Sequence, residues 1–435
     1  MNHFSINFKL GNLSSCQTGF LMINYCFNLK AMKKRILLSA SLFHALTDAA
    51  TIVTPTIFPI LYSQGFLIKK YSQIGLLSNV GLITTLLLQF WVVTLSFKHE
   101  YRWLMLISGL GIVLANFLVP LSPSFFVLLL MFVLLRAFTS FYHPVVVAWI
   151  SRSRAGSGQE LDDAMGIQSG SGNLGVLIAF ISTGYLAQHY SWKTPLYVWA
   201  VLGFIITAIG VLVIKNVSSK QKIKTDLSAR NWLRVLKKIS HLLPGFFFGG
   251  MGWSVTIYYA PSLLHNNFNI PMGATGGYLA LWIGLGTITG YLYGVWSRRF
   301  GRKNIFLTSL AGATICLLII GFSLNKTISL IALLLFGGFM LMTYPSLHTF
   351  VGSTVLDDEQ TLAFSWVSNI QLISGAIITL AAGFLSDYLS IRFPFILAGI
   401  LSLVIFLFYL PKDNSYFGAR KLKKIIVIPG EDIPV

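Results

Sequence analysis

Long apolar stretches separated by short polar segments run through most of this chain. The hydrocarbon core of a bilayer, roughly 30 Å thick, needs about 20 apolar residues in a helix. Twelve segments reach that length, six on each side of a hydrophilic break. The pattern therefore predicts an all-α membrane protein with twelve transmembrane helices in two six-helix bundles. The predicted spans are 36–62, 71–97, 101–119, 124–150, 162–188, 192–214, 240–265, 271–297, 303–324, 328–350, 360–387 and 392–411.

The amino-acid composition excludes an ordinary soluble protein. Of the 435 residues, 55% are hydrophobic and 10% are charged, and the mean hydropathy is +0.74. Soluble domains carry about 25% charged residues. In so apolar a chain, the net charge of +19 reflects the enrichment of Lys and Arg in cytoplasmic loops. We therefore expect no nucleic-acid partner. The three cysteines lack the paired spacing of a disulfide framework.

The basic residues divide unequally between the two sides of the predicted membrane. If the N terminus is cytoplasmic, five of the 32 Lys and Arg residues lie outside, and Arg136 lies within a span. All the others fall on the cytoplasmic side, in agreement with the positive-inside rule. The sequence therefore predicts a multi-pass protein of the cell inner membrane with both termini in the cytoplasm. The five outer residues are Lys69, Lys70, Lys193, Lys326 and Arg392.

The spans and the polar segments divide the chain into five parts. Met32 and the three basic residues after it resemble a natural start, so we expect residues 1–31 to be a disordered extension or foreign to the native protein. The first apolar run has the length of a membrane span, which argues against a cleaved signal peptide. The five parts are an N-terminal extension (1–35), a first bundle (36–214), a linker (215–239), a second bundle (240–411) and a cytoplasmic tail (412–435).

The linker contains one amphipathic segment, LSARNWLRVLKKI at residues 227–239. Apolar and basic side chains alternate there with the period of a helix, which predicts a helix lying on the inner leaflet and attracted to anionic lipids. A plain solvated linker is the alternative. The apolar residues are Leu233, Leu236 and Ile239, and the basic ones are Arg230, Arg234, Lys237 and Lys238.

The two predicted bundles resemble each other weakly in sequence. Pro144 in FYHP of span 4 corresponds to Pro345 in MTYP of span 10, and glycines of spans 2 and 3 match glycines of spans 8 and 9 at one constant offset. Internal repeats of this kind are typical of transporters, in which a central site lies between the repeats. The repeat therefore favours two homologous bundles with a cavity between them.

Charged groups inside the membrane are costly and mark candidate functional sites. Asp48 and Arg136 each lie twelve residues into a span, which at 1.5 Å per residue is about 18 Å from the membrane surface. Such an acid and base at equal depth could neutralise each other, and a proton or substrate could break the pair. A static structural ion pair is the alternative. His44 precedes Asp48 by one helical turn, where it could shuttle protons or serve only in packing.

Several segments resemble the major facilitator superfamily. GVWSRRFGRK (294–303) is similar to its loop signature, and Arg136 in LLRAFTS stands where many members have a buried arginine. Three other segments resemble the fosmidomycin-resistance type of exporter. The resemblance spans residues 32–411 and implies the major facilitator fold and alternating-access transport. The three segments are HALTD (44–48), FYHPVVVAWISR (141–152) and AMGIQSGSGNLG (164–175).

The chain departs from the superfamily pattern in two loops and in span 5. Arg298 replaces the usual acid of the loop signature, and the first-half copy of that loop, VVTLSFKHEYR (92–102), is nearly erased. The resemblance implies that these loops latch the two halves, so we expect a weakened or rewired latch. Ala179 and Phe180 stand where exporters often carry Gly-Pro, which keeps an importer open as an alternative.

Two further sets of residues are candidates for gating and for lining the cavity. His143, near the inner end of span 4, suits an inner gate, with a packing role beside the Pro144 kink as the alternative. Broad aromatic faces with one polar handle suit an amphiphilic ligand, although interfacial anchoring explains many aromatics as well. The gating set is His143, Pro144, Arg298, Arg299 and Arg302. The cavity set is Gln168, Asn173, Trp253, Tyr258, Trp282, Tyr344, Asn369 and Gln371.

The sequence contains none of the motifs expected of an ATP-driven pump or an enzyme. We find no phosphate loop, no metal-ligand cluster and no nucleophile–base pair, so we expect no cofactor and no metal. The sequence favours a monomeric, proton-coupled secondary transporter of a small organic molecule, and the resemblance to the fosmidomycin-resistance type implies that it is an exporter. A proton-linked importer of a sugar or organic acid is the main alternative, and a non-transporting membrane receptor is a weaker one.

Overall fold

The computed structural model describes residues 31–153, 158–214, 228–356 and 359–417. The extension at 1–30 and the end of the tail from 418 onward lie outside these ranges. Fourteen α-helices are present in the described residues. They are α1 (Ala31–Ser63), α2 (Tyr71–Lys98), α3 (Tyr101–Leu118), α4 (Phe125–Thr139), α5 (Tyr142–Ser153), α6 (Gly158–His189), α7 (Thr194–Val213), α8 (Ala229–Ile239), α9 (Leu243–Ser262), α10 (Met272–Phe300), α11 (Arg302–Phe322), α12 (Lys326–Thr354), α13 (Gln360–Tyr388) and α14 (Phe393–Tyr409).

These helices form two membrane-spanning bundles, which confirms the predicted fold class. Helices α1 to α7 supply the first six spans, with α4 and α5 sharing one span, and α9 to α14 supply the other six. Ten segments of the described chain are long and apolar enough to cross a membrane, and α14 is a shorter apolar helix. Helix α9, which contains four glycines and two tyrosines, is not among these ten segments and completes the twelve.

The fourth span is broken between α4 and α5, and Pro144 explains the break. A proline has no backbone N–H, and its ring clashes with the carbonyl four residues earlier, which here belongs to Ser140. Helix α4 accordingly ends at Thr139, and α5 begins at Tyr142. Nearby hydroxyl groups bond to carbonyls at the break; Ser108, for example, donates to the Phe138 carbonyl. The corresponding Pro345 lies inside the continuous helix α12, so of these two matching prolines Pro144 alone coincides with a break in its span.

The two bundles make backbone contacts at one end of the molecule, here called the far face, where α1 ends and α2 begins. The Asp387 carboxylate of α13 accepts a hydrogen bond from the Tyr71 backbone N–H at 2.6 Å. A methyl group on Gly184 of α6 would lie 2.5 Å from the Met272 carbonyl oxygen and 3.0 Å from Gly276 Cα of α10. Glycines therefore allow backbone-to-backbone contact between the bundles at the far face.

The opposite end, here called the basic face, carries α8 and the turn between α10 and α11. Ser228 caps the start of α8, where its hydroxyl accepts a hydrogen bond from the Asn231 N–H. Val235 and Ile239 pack against the protein, whereas Leu233 of the predicted apolar side is 62% exposed. The helix is therefore present where the sequence predicted it, and its contact with lipid stays a prediction.

Candidate functional site

The polar site in the first bundle centres on the Asp48 carboxylate. His44, one turn earlier on α1, places Nε2 3.1 Å from Asp48 Oδ2. His143, at the start of α5, places Nε2 3.4 Å from Asp48 Oδ1. The break before α5 aims His143 at α1. These three side chains, called the triad below, join one acid to two imidazoles inside the span region.

The His44 ring is held from two sides. Its Nδ1 lies 2.7 Å from the Gln168 carbonyl oxygen of α6, and its face stacks on Tyr142 with ring centres 4.8 Å apart. Tyr142 in turn donates to the Ala40 carbonyl at 2.8 Å and accepts from Gln168 Nε2 at 2.8 Å. A carbonyl oxygen can only accept, so Nδ1 of His44 carries a hydrogen and Nε2 is the atom left to face Asp48.

Glycines on α6 give the triad its space. A methyl group on Gly172 would lie 2.7 Å from both Asp48 Oδ2 and His44 Nε2. A methyl group on Gly175 would collide with the Ala45 backbone of α1. Because only glycine tolerates so close an approach, these positions let α6 pack directly over the triad.

The triad has a buried side and an accessible side. His44 is buried, whereas the side chains of Asp48 and His143 are 22% and 42% exposed. A carboxylate is an acceptor only, so a favourable His44–Asp48 contact requires a proton, or another cation, between Nε2 and Oδ2. The arrangement can therefore hold one positive charge and exchange it on the His143 side.

The structure brings together segments that are far apart in the sequence. HALTD contributes His44 and Asp48, FYHPVVVAWISR contributes Tyr142 and His143, and AMGIQSGSGNLG contributes the residues of α6. Sequence reasoning grouped His44 with Asp48 but assigned His143 to a gate. It did not single out Tyr142 or the α6 glycines, although all of them lie in the quoted motifs. The presence of these residues in the same quoted motifs as His44, Asp48 and His143 is the sequence signal that could have identified them.

Arg136 is not an ion-pair partner of Asp48 among the residues described. Arg136 is a buried residue of α4. Its side chain packs against Gly81 of α2, where an added methyl group would lie only 2.9 Å from Arg136 Cγ. Thr85 and Thr139 donate hydrogen bonds to its carbonyl oxygen. The pairing of Asp48 with Arg136 that equal depth suggested is thus replaced by pairs of Asp48 with histidines.

The residues of the predicted cavity set fall into two groups. Gln168, Tyr258, Trp282 and Asn369 are buried, whereas Asn173, Trp253, Tyr344 and Gln371 are partly exposed.

Within this set, aromatic packing and hydrogen bonds connect neighbouring helices. Tyr258 of α9 stacks on Phe58 of α1 across the two bundles, with ring centres 6.4 Å apart. The Tyr344 hydroxyl donates to the Gly249 carbonyl at 3.0 Å. Trp253 packs 5.5 Å from Trp282. Tyr258 and Trp282 thus contribute mainly to packing, while the partly exposed members remain candidates for substrate contact.

The remaining predicted gating residues lie at the basic face. Arg298 and Arg299 end α10, Arg302 begins α11, and all three are exposed. Basic residues at a helix C-terminus interact favourably with its dipole. Gly301 between them has a φ of 85°, a conformation that favours glycine. The turn is therefore built around one required glycine, with its arginines free to face solvent or lipid headgroups.

Comparison with known proteins identifies the architecture. The profile described as Major Facilitator Superfamily matches residues 40–355 and 242–424. No curated protein matches the chain in sequence. A bacterial homologue of the human lysosomal transporter Spinster, in an inward-facing and occupied conformation, superposes with a TM-score of 0.73 at 13% identity, covering 88% of this chain and 97% of that chain. The nucleoside transporter NupG gives a TM-score of 0.68 at 13% identity, covering 87% and 98%. At such identities the likeness shows the fold alone.

Proposed function

Because the chain belongs to the Major Facilitator Superfamily, we propose that it is a proton-coupled secondary transporter that exports a small organic molecule. In this fold, transport proceeds as two bundles rock around a central site. Movement of a proton onto and off the triad would drive the rocking. The protein acts as a monomer, and it needs neither a cofactor nor ATP for this mechanism.

One observation carries the proton-coupling proposal: the fixed orientation of His44 beside Asp48. Since Nδ1 donates to the Gln168 carbonyl, the 3.1 Å contact between Nε2 and Oδ2 is favourable only with a proton in it. Loss of that proton would leave two acceptors of α1 facing each other. Their separation would disturb the packing of α6, because Gly172 of α6 lies directly over both groups. Half-exposed His143 offers the route by which the proton enters or leaves. Proton occupancy is thereby coupled to helix packing.

The distribution of basic residues supports an orientation in the inner membrane. The basic face carries α8 and the arginines of the α10–α11 turn, and positively charged loops stay in the cytoplasm. We therefore place this face, and both termini, on the cytoplasmic side. Helix α8 would lie against the inner leaflet, where its Arg and Lys side chains attract anionic lipids.

The direction of transport is proposed from the three segments that meet at the triad. Their resemblance to the fosmidomycin-resistance type of exporter involves the residues that hold the proton. The partly exposed Trp253 and Tyr344, with Asn173 and Gln371, would contact the substrate. Their apolar faces and few polar groups suit an amphiphilic compound better than a multiply charged anion.

The test uses the full-length protein in proteoliposomes with an imposed pH gradient. A panel of amphiphilic cations, neutral sugars, monocarboxylates and fosmidomycin is screened for gradient-driven movement. An exporter working by proton exchange accumulates its substrate in the acidic compartment, whereas a proton-linked importer accumulates it in the alkaline one. Asp48→Asn is expected to abolish accumulation against a concentration gradient while exchange of substrate continues.

Asp413→Asn is the matched control, because Asp413 is an exposed acid beyond α14 and its loss should leave flux unchanged. Coupled flux that survives Asp48→Asn would remove the triad from the mechanism. If no compound moves in either direction while the protein remains folded, the transporter proposal fails.

A further inference from the structure

The triad also forms a set of possible metal ligands that the spacing of these residues in the sequence does not indicate. One ligand atom from each of His44, Asp48 and His143 lies within 4.8 Å of the others. Two imidazole nitrogens and one carboxylate oxygen are ligands typical of Zn²⁺ and neighbouring transition metals. The members come from α1 and α5, so only the tertiary structure assembles them.

The separations within the triad fit such an ion. Zn²⁺ binds nitrogen and carboxylate oxygen at about 2.0–2.2 Å, so ligand atoms on a tetrahedral edge lie roughly 3.3–3.5 Å apart. The two nitrogen–oxygen distances are 3.1 Å, from His44 Nε2 to Oδ2, and 3.4 Å, from His143 Nε2 to Oδ1. The His143 side chain, which is 42% exposed, is the member of the triad with room to turn toward a shared ion.

The surroundings of His44 match those of a metal ligand. Ligating histidines generally donate their other ring N–H to a carbonyl or carboxylate, which fixes the tautomer and aims the lone pair at the metal. His44 Nδ1 does this with the Gln168 carbonyl, and stacking on Tyr142 fixes the ring plane. Gln168 is itself fixed by its bond to the Tyr142 hydroxyl. Nε2 is therefore preoriented toward the centre of the triad.

We propose that His44, Asp48 and His143 form a three-ligand binding site for a divalent transition-metal ion of the Zn²⁺ class. The fourth coordination position faces the accessible side of the triad, beside His143, where water or a substrate donor atom completes the shell. The inference concerns metal binding alone, and it holds whether or not the same residues couple transport to protons.

The test titrates ZnCl₂ into the purified full-length protein in detergent, without a histidine tag, by isothermal calorimetry. CoCl₂ is the spectroscopic probe, since its visible absorption reports the coordination geometry. We expect one Zn²⁺ ion to bind per protein. His143→Ala and Asp48→Asn should each weaken Zn²⁺ binding at least tenfold and abolish the Co²⁺ spectrum. His189→Ala is the matched control, because His189 is exposed at the end of α6, and should leave both readouts unchanged.

His143→Gln, which keeps a polar side chain of similar length, serves as a second variant in case the alanine variant unfolds. Zn²⁺ binding that is absent, or that persists unchanged in the folded Asp48 and His143 variants, overturns the inference. Flux measured in the presence of a chelator tests the transport proposal separately. Coupled flux without triad-dependent Zn²⁺ binding rejects only the metal site, and triad-dependent binding without coupled flux rejects only the transport proposal.

Discussion

At the scale of single residues, the triad depends on a glycine as much as on its charged members. Asp48 and His44 supply the chemistry, but Gly172 supplies the space that lets α6 cover them. The same helix carries Gly166, where a methyl group would meet no atom within 4 Å. The two glycines therefore have different roles in one helix, and the difference can be measured.

Gly172→Ala is expected to reduce gradient-driven flux at least tenfold while the protein still folds. The added methyl group would lie 2.7 Å from Asp48 Oδ2 and from His44 Nε2, so the pair must separate or α6 must shift. Gly166→Ala is the control and should retain flux. Flux in proteoliposomes and thermal melting of both variants check the prediction. Equal flux from the two variants would show that close packing over the triad is dispensable.

At the scale of elements, α8 is attached to both bundles. Trp232 packs between Phe90 of α2 and Trp366 of α13, with ring centres 5.7 Å and 5.5 Å away. Lys238 places Nζ 2.6 Å and 2.7 Å from the two carboxylate oxygens of Glu359. Arg234 contributes a second contact at 3.3 Å. Helix α8 therefore connects the basic ends of the bundles in addition to any contact with lipid.

The pKa of Glu359 is held below its usual range chiefly by the hydrogen bonds from Lys238. A carboxyl group with a lowered pKa in the folded state stabilises the protein fully above its ordinary pKa of about 4.3. That contribution disappears as the pH falls through the folded-state pKa. Lys238→Met is therefore expected to lower the melting temperature at pH 7, and to lower it progressively less as the pH falls through the lowered pKa of Glu359.

The matched control is Lys237→Met, which removes an exposed charge from the adjacent position of α8. Melting curves of the two variants at pH 7 and at acidic pH make the comparison. A loss of stability that is the same for both variants, or that does not shrink on acidification, would contradict the role given to Lys238.

At the scale of the whole molecule, the far face is closed by contacts that reach backbone atoms across the two bundles. Gly184 of α6 meets α10, and Asp387 of α13 caps the backbone N–H of Tyr71 at the start of α2. The Asn79 amide donates across the bundles to the Ala376 carbonyl at 2.9 Å. Such contacts must break if the molecule is to open at the far face, so they belong to one end state of the transport cycle.

Gly184→Val is expected to wedge the far face open and to reduce flux, because its side chain would overlap the Met272 carbonyl and Gly276 of α10. The neighbouring change Gly277→Val is the control, since a methyl group there meets no atom within 4 Å. A cysteine at position 79 in a cysteine-free background reports the opening through its labelling by a bulky maleimide. Labelling that does not increase with Gly184→Val, relative to Gly277→Val, would refute the wedge.

The membrane class, the twelve spans and their division into two bundles could all be predicted from the sequence. Span length, low charge and the bias of Lys and Arg toward one side of the membrane depend on the local sequence, so they can be predicted without knowledge of contacts between helices. The positions of Asp48, His44 and Arg136 within spans were readable for the same reason.

Which of these charged side chains contact each other could not be predicted from the sequence. Equal depth suggested that Asp48 pairs with Arg136, but depth fixes one coordinate and leaves the rotation of each helix free. The break at Pro144 turns His143 toward α1, and glycines bring α6 over His44. Packing rotation and backbone approach are set by contacts between helices distant in sequence, and those contacts created the triad.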